Sequence, residues 1–563
     1  MPLSTPLLPV IILLLAAAAL GVMTRVAGVK ASNMLALVLA ACCFLCCVLL
    51  YRSQPAVWAS DFWRPALLFG VELGYRADSL SWGLALVMVS VALIAVACGN
   101  PFVGPDGERS HPYSALFLVL AGALSVILSG DLVTLCLSWG LLDLGMLSLT
   151  VLAHDGQEAS RTGLRLLVVN FLAGVALLAG LLVLQRQGET FSLQATPLPA
   201  RVVSMMVIAG LLRLGLYPAF VALPTRVAMR LPSLILWHTV PVVVGGYVVA
   251  RALGLSAVAT LPGRELALVL GSLSIILSPF PLWFETNLRS MAAFIVVSQV
   301  GHIALAAAIA VPYSSAIIAS TTVGLVLALA LLFLSQAAAP DALTRTHGIW
   351  RRCCMLVAIA SLAGAPLTIT FVSRQLLYRS LLESHLAPLV LLSLVANCFL
   401  VAPLLKMGLG QPPQEASTRQ KYPVLLGSMT VLALFLIIFG LHPPLLGFLT
   451  GAQSALAAWP NLGDLVYAPG VPLATVSLVA TLVSLAMGYL MYSRGELIVV
   501  RAGVSLETVQ VIARMDWFYR ALDWMGQRTR SMLELSGRFF EGARSPGWIL
   551  VFATLVAVLL LST

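Results

Sequence analysis

The chain has 563 residues, with 32 Lys and Arg against 22 Asp and Glu, a formal net charge of +10. Only 10% of residues are charged and 60% are hydrophobic, where soluble domains run near one charged residue in four, so a soluble globule of this length is excluded. A mean hydropathy of +1.01 over the whole chain exceeds what one anchoring helix on a soluble enzyme could produce, which leaves a polytopic membrane protein.

Apolar spans are expected, in chain order, over 5–24, 31–51, 78–98, 112–130, 131–153, 162–186, 201–230, 232–254, 266–286, 289–311, 313–336, 352–381, 383–406, 423–442, 471–493 and 547–562. The fold class is therefore an all-α polytopic membrane protein with about 14–16 transmembrane helices. Residues 5–24 have no charged leader and no clear cleavage site, and read as a retained helix. The longest loops, 52–77 and 99–111, hold too few apolar residues to fold as catalytic domains, so no catalytic site is expected in this chain. The working division is 1–111 as N-terminal helices, 112–254 and 266–406 as two main blocks, 423–493 as further helices, 511–545 as a surface helix and 547–562 as a closing span.

The surface helix has its own composition. Phe518, Leu522, Met525, Met532, Leu535 and Phe539 recur at helical spacing, while Arg520, Asp523, Gln527, Arg530, Glu534, Arg538 and Glu541 take the opposite face. Such a helix lies flat, its apolar side on lipid or on a neighbouring subunit.

Two spans look broken. Arg213-Leu-Gly-Leu-Tyr-Pro218 places Gly and Pro one turn beyond a cation, and Gly364-Ala-Pro366 precedes Arg374 by two turns. Proline removes a helical hydrogen bond, and in hydrocarbon the freed carbonyls must be met by protein or water, so Pro218 and Pro366 mark breaks that accompany charge. Ionisable groups inside spans are functional candidates by default, and here they are Asp143, Arg213, His238, Arg289, His302 and Arg374. Each alone is also explained by an interhelical hydrogen bond or a snorkelling end residue. The cysteines Cys42, Cys43, Cys46 and Cys47 lie mid-span with no His or carboxylate nearby, so no metal is expected, and no nucleotide or nucleophile motif occurs in a plausible context. No cofactor is expected.

At these residues the chain resembles the antiporter-like membrane subunits of respiratory complex I, its L, M and N subunits, and their relatives in multisubunit cation/proton antiporters and membrane-bound hydrogenases. The match runs roughly over 75–406. Tyr75-Arg76-Ala77-Asp78-Ser79-Leu80-Ser81 is similar to the family's entry motif, and Leu137-Ser138-Trp139 to the stretch before its Trp-Glu pair. Arg213 through Pro218, Pro232-Ser233 and His238 resemble its Lys-x-x-x-x-Pro, Pro-x-Ser and His series. Asn287-Leu288-Arg289, Ser298-Gln299-Val300-Gly301 and Phe371-Val372-Ser373-Arg374 continue the ordered match. Asp516-Trp517-Phe518-Tyr519-Arg520 and the tail look like the cation/proton antiporter and hydrogenase branch. The resemblance implies two inverted five-helix repeats with flanking helices, set beside related antiporter-like subunits and lipid in a multi-pass inner-membrane complex, with no nucleic-acid partner.

The departures from the pattern have one chemical direction. The chain has three lysines, Lys30, Lys406 and Lys421, against 29 arginines. The family's Glu after Trp139 is Gly140, with Asp143 one turn on; its pairing Lys is Arg213; its central His and Lys fall on Leu325 and Leu329; its Lys after the second break is Arg374, followed by Gln375. Arginine keeps its proton, with a pKa above about 12, so a path of arginine and leucine has no group that loads and unloads, and His238 and His302 are the candidates for titration near neutrality. The resulting expectation is an antiporter-like subunit with an impaired proton path. Two alternatives stand beside it: a working proton or sodium channel through Asp143 and His238, and the membrane subunit of an energy-coupled inorganic-carbon uptake complex.

Overall fold

Runs of apolar residues become helices here because hydrocarbon offers no water to a bare N–H or C=O, and a helix pairs each of them internally. The structure is a computed structural model that describes residues 5–26, 28–60, 73–99, 113–153, 157–187, 191–193, 197–222, 230–256, 261–309, 313–337, 345–409, 422–451, 472–494, 524 and 528. The chain divides into two units, Met1–Arg501 and Ala502–Thr563.

The first unit begins with α1 (Leu8–Val26) and α2 (Gly28–Leu50), then a hairpin of β1 (Ala56–Ala59) and β2 (Gly74–Ala77). It continues with α3 (Ser79–Gly99), α4 (Tyr113–Ile127), α5 (Leu132–Ala153), α6 (Gln157–Gln187), α7 (Ala200–Leu214) and α8 (Leu231–Gly254). Next come α9 (Arg264–Leu277), α10 (Pro279–Leu282), α11 (Leu288–Ile309), α12 (Ser314–Ala337), α13 (Arg345–Ala363) and α14 (Ile369–Glu383). It closes with α15 (Ala387–Leu409), α16 (Tyr422–Leu441), α17 (Pro443–Thr450) and α18 (Pro472–Ser493). Ten helices among the described residues are long and apolar enough to cross a membrane, and three shorter apolar ones accompany them, so the chain is a multi-pass membrane protein.

The core is set by the helices that are apolar on every side. Such a helix has no face to offer water and is buried in the bundle. The spans of α8, α11 and α12 are buried throughout, and α12 packs against α3, α8, α11, α13, α14 and α16. Small residues allow close approach: a Cβ on Gly245 would stand 2.7 Å from the carbonyl oxygen of Gly210, so α7 and α8 touch backbone to backbone there.

Both expected breaks are present. α7 stops at Leu214 because Gly215, at φ 79°, bends the chain and its N–H returns to the carbonyls of Leu211 and Leu212. A short 3-10 turn, Ala219–Ala222, follows Pro218. The second break lies between Ala363 and Ile369, with Gly364 at φ 69° and Leu367 at φ 70°. A third interruption was not anticipated: the span expected over 266–286 is divided at Ser278, because Pro279 and Pro281 bring no N–H to continue the ladder. The 52–77 loop also contains unexpected order, the β1–β2 pair, with Ala56 opposite Ala77 and Ala59 opposite Gly74.

Of the second unit, the structure describes Trp524 and Arg528, both helical and exposed, the guanidinium 5.7 Å from the indole ring centroid. The rest of the expected 511–545 surface helix and the 547–562 span lie outside the described residues.

Candidate functional site

Asp143 is carried by α5 and Arg213 by the last turn of α7, immediately before the break. Arg213 Nη1 donates to Asp143 Oδ1, and the Arg213 guanidinium carbon lies 4.8 Å from the Trp139 ring centroid. Trp139 stands one turn before Asp143 on α5, so one helix face supplies both the carboxylate and the aromatic wall. The arginine side chain is 1% exposed and the aspartate 14%. Arg213 Nε and Nη2 are buried without a hydrogen-bond partner among the described residues. Gly140, where the resemblance places a glutamate, is exposed, and a Cβ built there would meet nothing within 4 Å.

Large apolar side chains dominate the middle of the bundle, with a few buried hydroxyls such as Thr239 and Thr322 among them. His238, on α8, is fully buried; its Nδ1 lies 3.0 Å from the Leu234 carbonyl, and its Nε2 has no partner among the described residues. Its ring is 5.1 Å from the Phe333 ring on α12. Leu325 and Leu329, on the same helix, are also fully buried. His238 thus has the Phe333 ring on one side and the backbone and charge of Arg289 nearby.

Around the second break the chemistry is again that of a fixed cation. Arg374 Nη1 donates to the Ala363 carbonyl at 2.7 Å and to Asn397 Oδ1 at 2.8 Å, and Nη2 donates to the Leu362 carbonyl at 2.9 Å and to Gln299 Oε1 at 3.5 Å. These two carbonyls end α13, where the backbone partners of an ordinary helix are missing and the helix dipole is negative. Arg374 is 3% exposed and makes no ion pair among the described residues. Gln299 Nε2 also donates to the Leu362 carbonyl, at 2.9 Å, so α11 helps hold the break.

His302 is placed one turn beyond Gln299, with Nδ1 2.9 Å from the Ser298 carbonyl and Nε2 2.9 Å from Ser393 Oγ. Arg289 stands half-buried in the first turn of α11, thirteen residues before His302, or about 20 Å along the helix. The structure thus joins Asp143 to Arg213 and gathers Arg374 and His302 near the second break, leaving Arg289 and His238 apart from those contacts.

Several polar partners carry no signal in the motifs: Ser477, Thr481, Ser484 and Asn397 near the second break, and Arg251 and Asp131 at the hairpin. Gln375 Nε2 donates to Thr481 Oγ1 at 2.9 Å, Ser477 bonds Gln375 Oε1, and Asn397 Nδ2 donates to Ser484 Oγ at 3.2 Å. The signal was available: Ser477, Thr481 and Ser484 recur at i, i+4 and i+7, a polar stripe on the otherwise apolar α18. At one membrane edge, Arg251 Nη2 lies 2.6 Å from Asp78 Oδ2, while Ser81 N–H caps onto Asp78 Oδ1 at 3.0 Å. Burial raises the Asp78 pKa, but the Arg251 guanidinium and the Ser81 bonds outweigh it and hold the carboxyl below its ordinary value. Asp131 caps α5 through Thr134 N–H at 2.7 Å and accepts Gly74 N–H at 2.9 Å, fastening the hairpin to the bundle. Burial there outweighs the bonds from Thr134 and Gly74 and raises the Asp131 carboxyl.

Residues 129–400 match the family described as NADH:quinone oxidoreductase/Mrp antiporter, transmembrane. NAD(P)H-quinone oxidoreductase subunit 5 of Adiantum capillus-veneris is 24% identical over 281 residues, 47% of this chain and 38% of that protein. NADH-quinone oxidoreductase subunit N of Moorella thermoacetica is 24% identical over 414 residues, 66% of this chain and 84% of that protein. The chain spans well under half the length of the first of these relatives. Among solved structures, a chain of the Mrp complex from Dietzia sp. superposes with a TM-score of 0.77 at 21% identity, covering 99% of this chain and 63% of that one. The matched stretch, 129–400, holds the Asp143–Arg213 pair and the second break, and the fold around it is similar to that of the Mrp-complex chain.

Proposed function

We propose that this chain is an antiporter-like subunit in the membrane arm of a multisubunit proton- or cation-translocating complex, and that fixed charge has closed its own proton path. Its partners in this reading are other membrane subunits, related antiporter-like ones among them, together with lipid of a cell inner membrane. The blocks 112–254 and 266–406 are taken as its two repeats, each holding one charged break.

The supporting observation is the Arg213–Asp143 pair. A lysine against a carboxylate can pass its proton on when desolvated, whereas an arginine in the same place holds its proton at every physiological pH. The second break repeats the substitution, with Arg374 bound to carbonyls and amides. His238 lies against the Phe333 ring with the Arg289 charge nearby, an aromatic and cationic setting that counts against a working route through Asp143 and His238.

Proton transport by the assembled complex in proteoliposomes, with Asp143→Asn and Arg213→Met combined, is the test. Replacing both partners removes the buried pair without leaving a lone charge, so transport within about twofold of the parent complex is expected. A large loss of transport with assembly intact would sink the reading.

A further inference from the structure

His302, Ser393 and Tyr378 come from three helices, α11, α15 and α14, and all three are buried. His302 Nδ1 is 2.9 Å from the Ser298 carbonyl oxygen. A carbonyl only accepts, so Nδ1 carries the hydrogen and, in the neutral ring, Nε2 is the acceptor. Ser393 Oγ, 2.9 Å from Nε2, is therefore the donor of that bond. With its hydrogen committed to the imidazole, Ser393 Oγ accepts from Tyr378 Oη, 3.0 Å away. One backbone carbonyl thus orients the entire series, from Tyr378 through Ser393 to His302.

The series also has an outer end and an inner end. Tyr378 is five residues before the end of α14, Ser393 six after the start of α15 and His302 seven before the end of α11, which at 1.5 Å per residue is about 8–11 Å from each terminus. Gln299 and His302 on α11 face Arg374 and Tyr378 on α14 in the same order, so α11 and α14 run parallel and these termini share one membrane edge. That edge is hydrated in character, since Arg379 and Glu383 form an exposed pair there at 2.7 Å. On the inner side, Gln299 stands one turn before His302 and Arg374 one turn before Tyr378, and Arg374 has no proton to exchange.

We propose that Tyr378, Ser393 and His302 form a one-sided proton half-channel, which loads and unloads from the edge at the α14 terminus and is closed inward by Arg374. This rests on the reading of the chain as an antiporter-like subunit with a blocked axis. A proton from water at that edge binds Tyr378 Oη as the tyrosine's own proton passes to Ser393 Oγ, whose proton in turn passes to His302 Nε2. Both hydroxyls end neutral, the hydrogen bonds are reversed, and the added charge resides on an imidazolium whose Nδ1–H still donates to the Ser298 carbonyl. Unloading retraces the same bonds. Of the helices packed on α11, α14 brings Arg374 and Tyr378 to this histidine. α10 and α12 contain no ionisable side chain, and those of α9, Arg264 and Glu265, stand in its first turn. Arg213 on α7 and Arg251 on α8 are held by Asp143 and Asp78, His238 on α8 lies against Phe333, Arg201 is exposed, Tyr247 stands beside Arg251, and Lys406 stands in the last turn of α15.

The test is the rate at which His302 Nε2 gains and loses its proton in the assembled complex. It is followed as exchange broadening of the Nε2 signal by 15N solid-state NMR, with this chain's histidines labelled and assigned through His302→Gln. Protonation of Nε2 runs through Ser393 Oγ, so Ser393→Ala and Tyr378→Phe are each expected to slow it by about tenfold or more, and Ser393→Thr to restore it. Loss of a merely structural bond would loosen the helices and speed exchange instead. An unchanged or faster rate in the two deletion variants, or slowing that Ser393→Thr does not restore, overturns the proposal. The transport result for Asp143→Asn with Arg213→Met bears on the blocked axis alone, so the two ideas fail separately.

Discussion

Arg213 Nη1 engages Asp143 while Nε and Nη2 find no partner among the described residues, so this buried cation depends heavily on one carboxylate and the Trp139 face. Arg213→Met alone leaves a half-buried carboxylate without its cation, and Asp143→Asn alone leaves a buried arginine without its anion. Each single variant is expected to lose about 3 kcal/mol or more, and the combined variant much less, as read by a double-mutant cycle of thermal stability in detergent. At the membrane edge the two capping aspartates should titrate in opposite senses. Asp78 is held below its ordinary pKa, so its contribution to stability is full above the usual carboxylate range and is lost as the pH falls through its folded value. Asp131 is raised, so its ionised form weakens the fold as the pH rises through the carboxylate range. Melting curves from pH 7 into acid should therefore flatten in Asp78→Asn and not in Asp131→Asn.

Among the elements, the breaks depend most on particular residues. A Cβ at Gly364 would stand 2.7 Å from Arg374 Cδ, and its φ of 69° is one that other residues adopt at a cost, so Gly364→Ala is expected to lower the stability of the purified chain by about 1–3 kcal/mol. Gly140→Ala, in open space on a regular helix, should instead be neutral or stabilising by up to about 1 kcal/mol; equal losses in the two variants would contradict this account. Both of those breaks were legible in the sequence, because a Gly and a Pro within about two turns of an arginine announce them. The interruption at Ser278 was not, although Pro279 and Pro281 were in view, because the apolar run continues unbroken across it. The β1–β2 hairpin was also hidden, since four-residue strands leave too short an alternation to read, and what secures them is a distant side chain, Asp131.

In the whole molecule, hydropathy located the membrane spans because bilayer thickness imposes a length on each of them, and that constraint acts on composition alone. Which polar groups meet was less legible. Asp143 and Arg213 could be matched by the resemblance, but Gln299, Asn397, Ser393 and the α18 hydroxyls are brought to Arg374 and His302 by packing between helices far apart in sequence. The clamp on Arg374 decides which kind of cation the second break can hold. The guanidinium donates to two carbonyls and two amide oxygens in four directions from one rigid plane, and an ammonium has three donors at a single point. Lysine at position 374 would leave part of the break unpaired, so Arg374→Lys is expected to be tolerated only with a compensating change at Asn397 or Gln299. The break therefore admits a flat cation with several donors and rejects a point charge of the same sign.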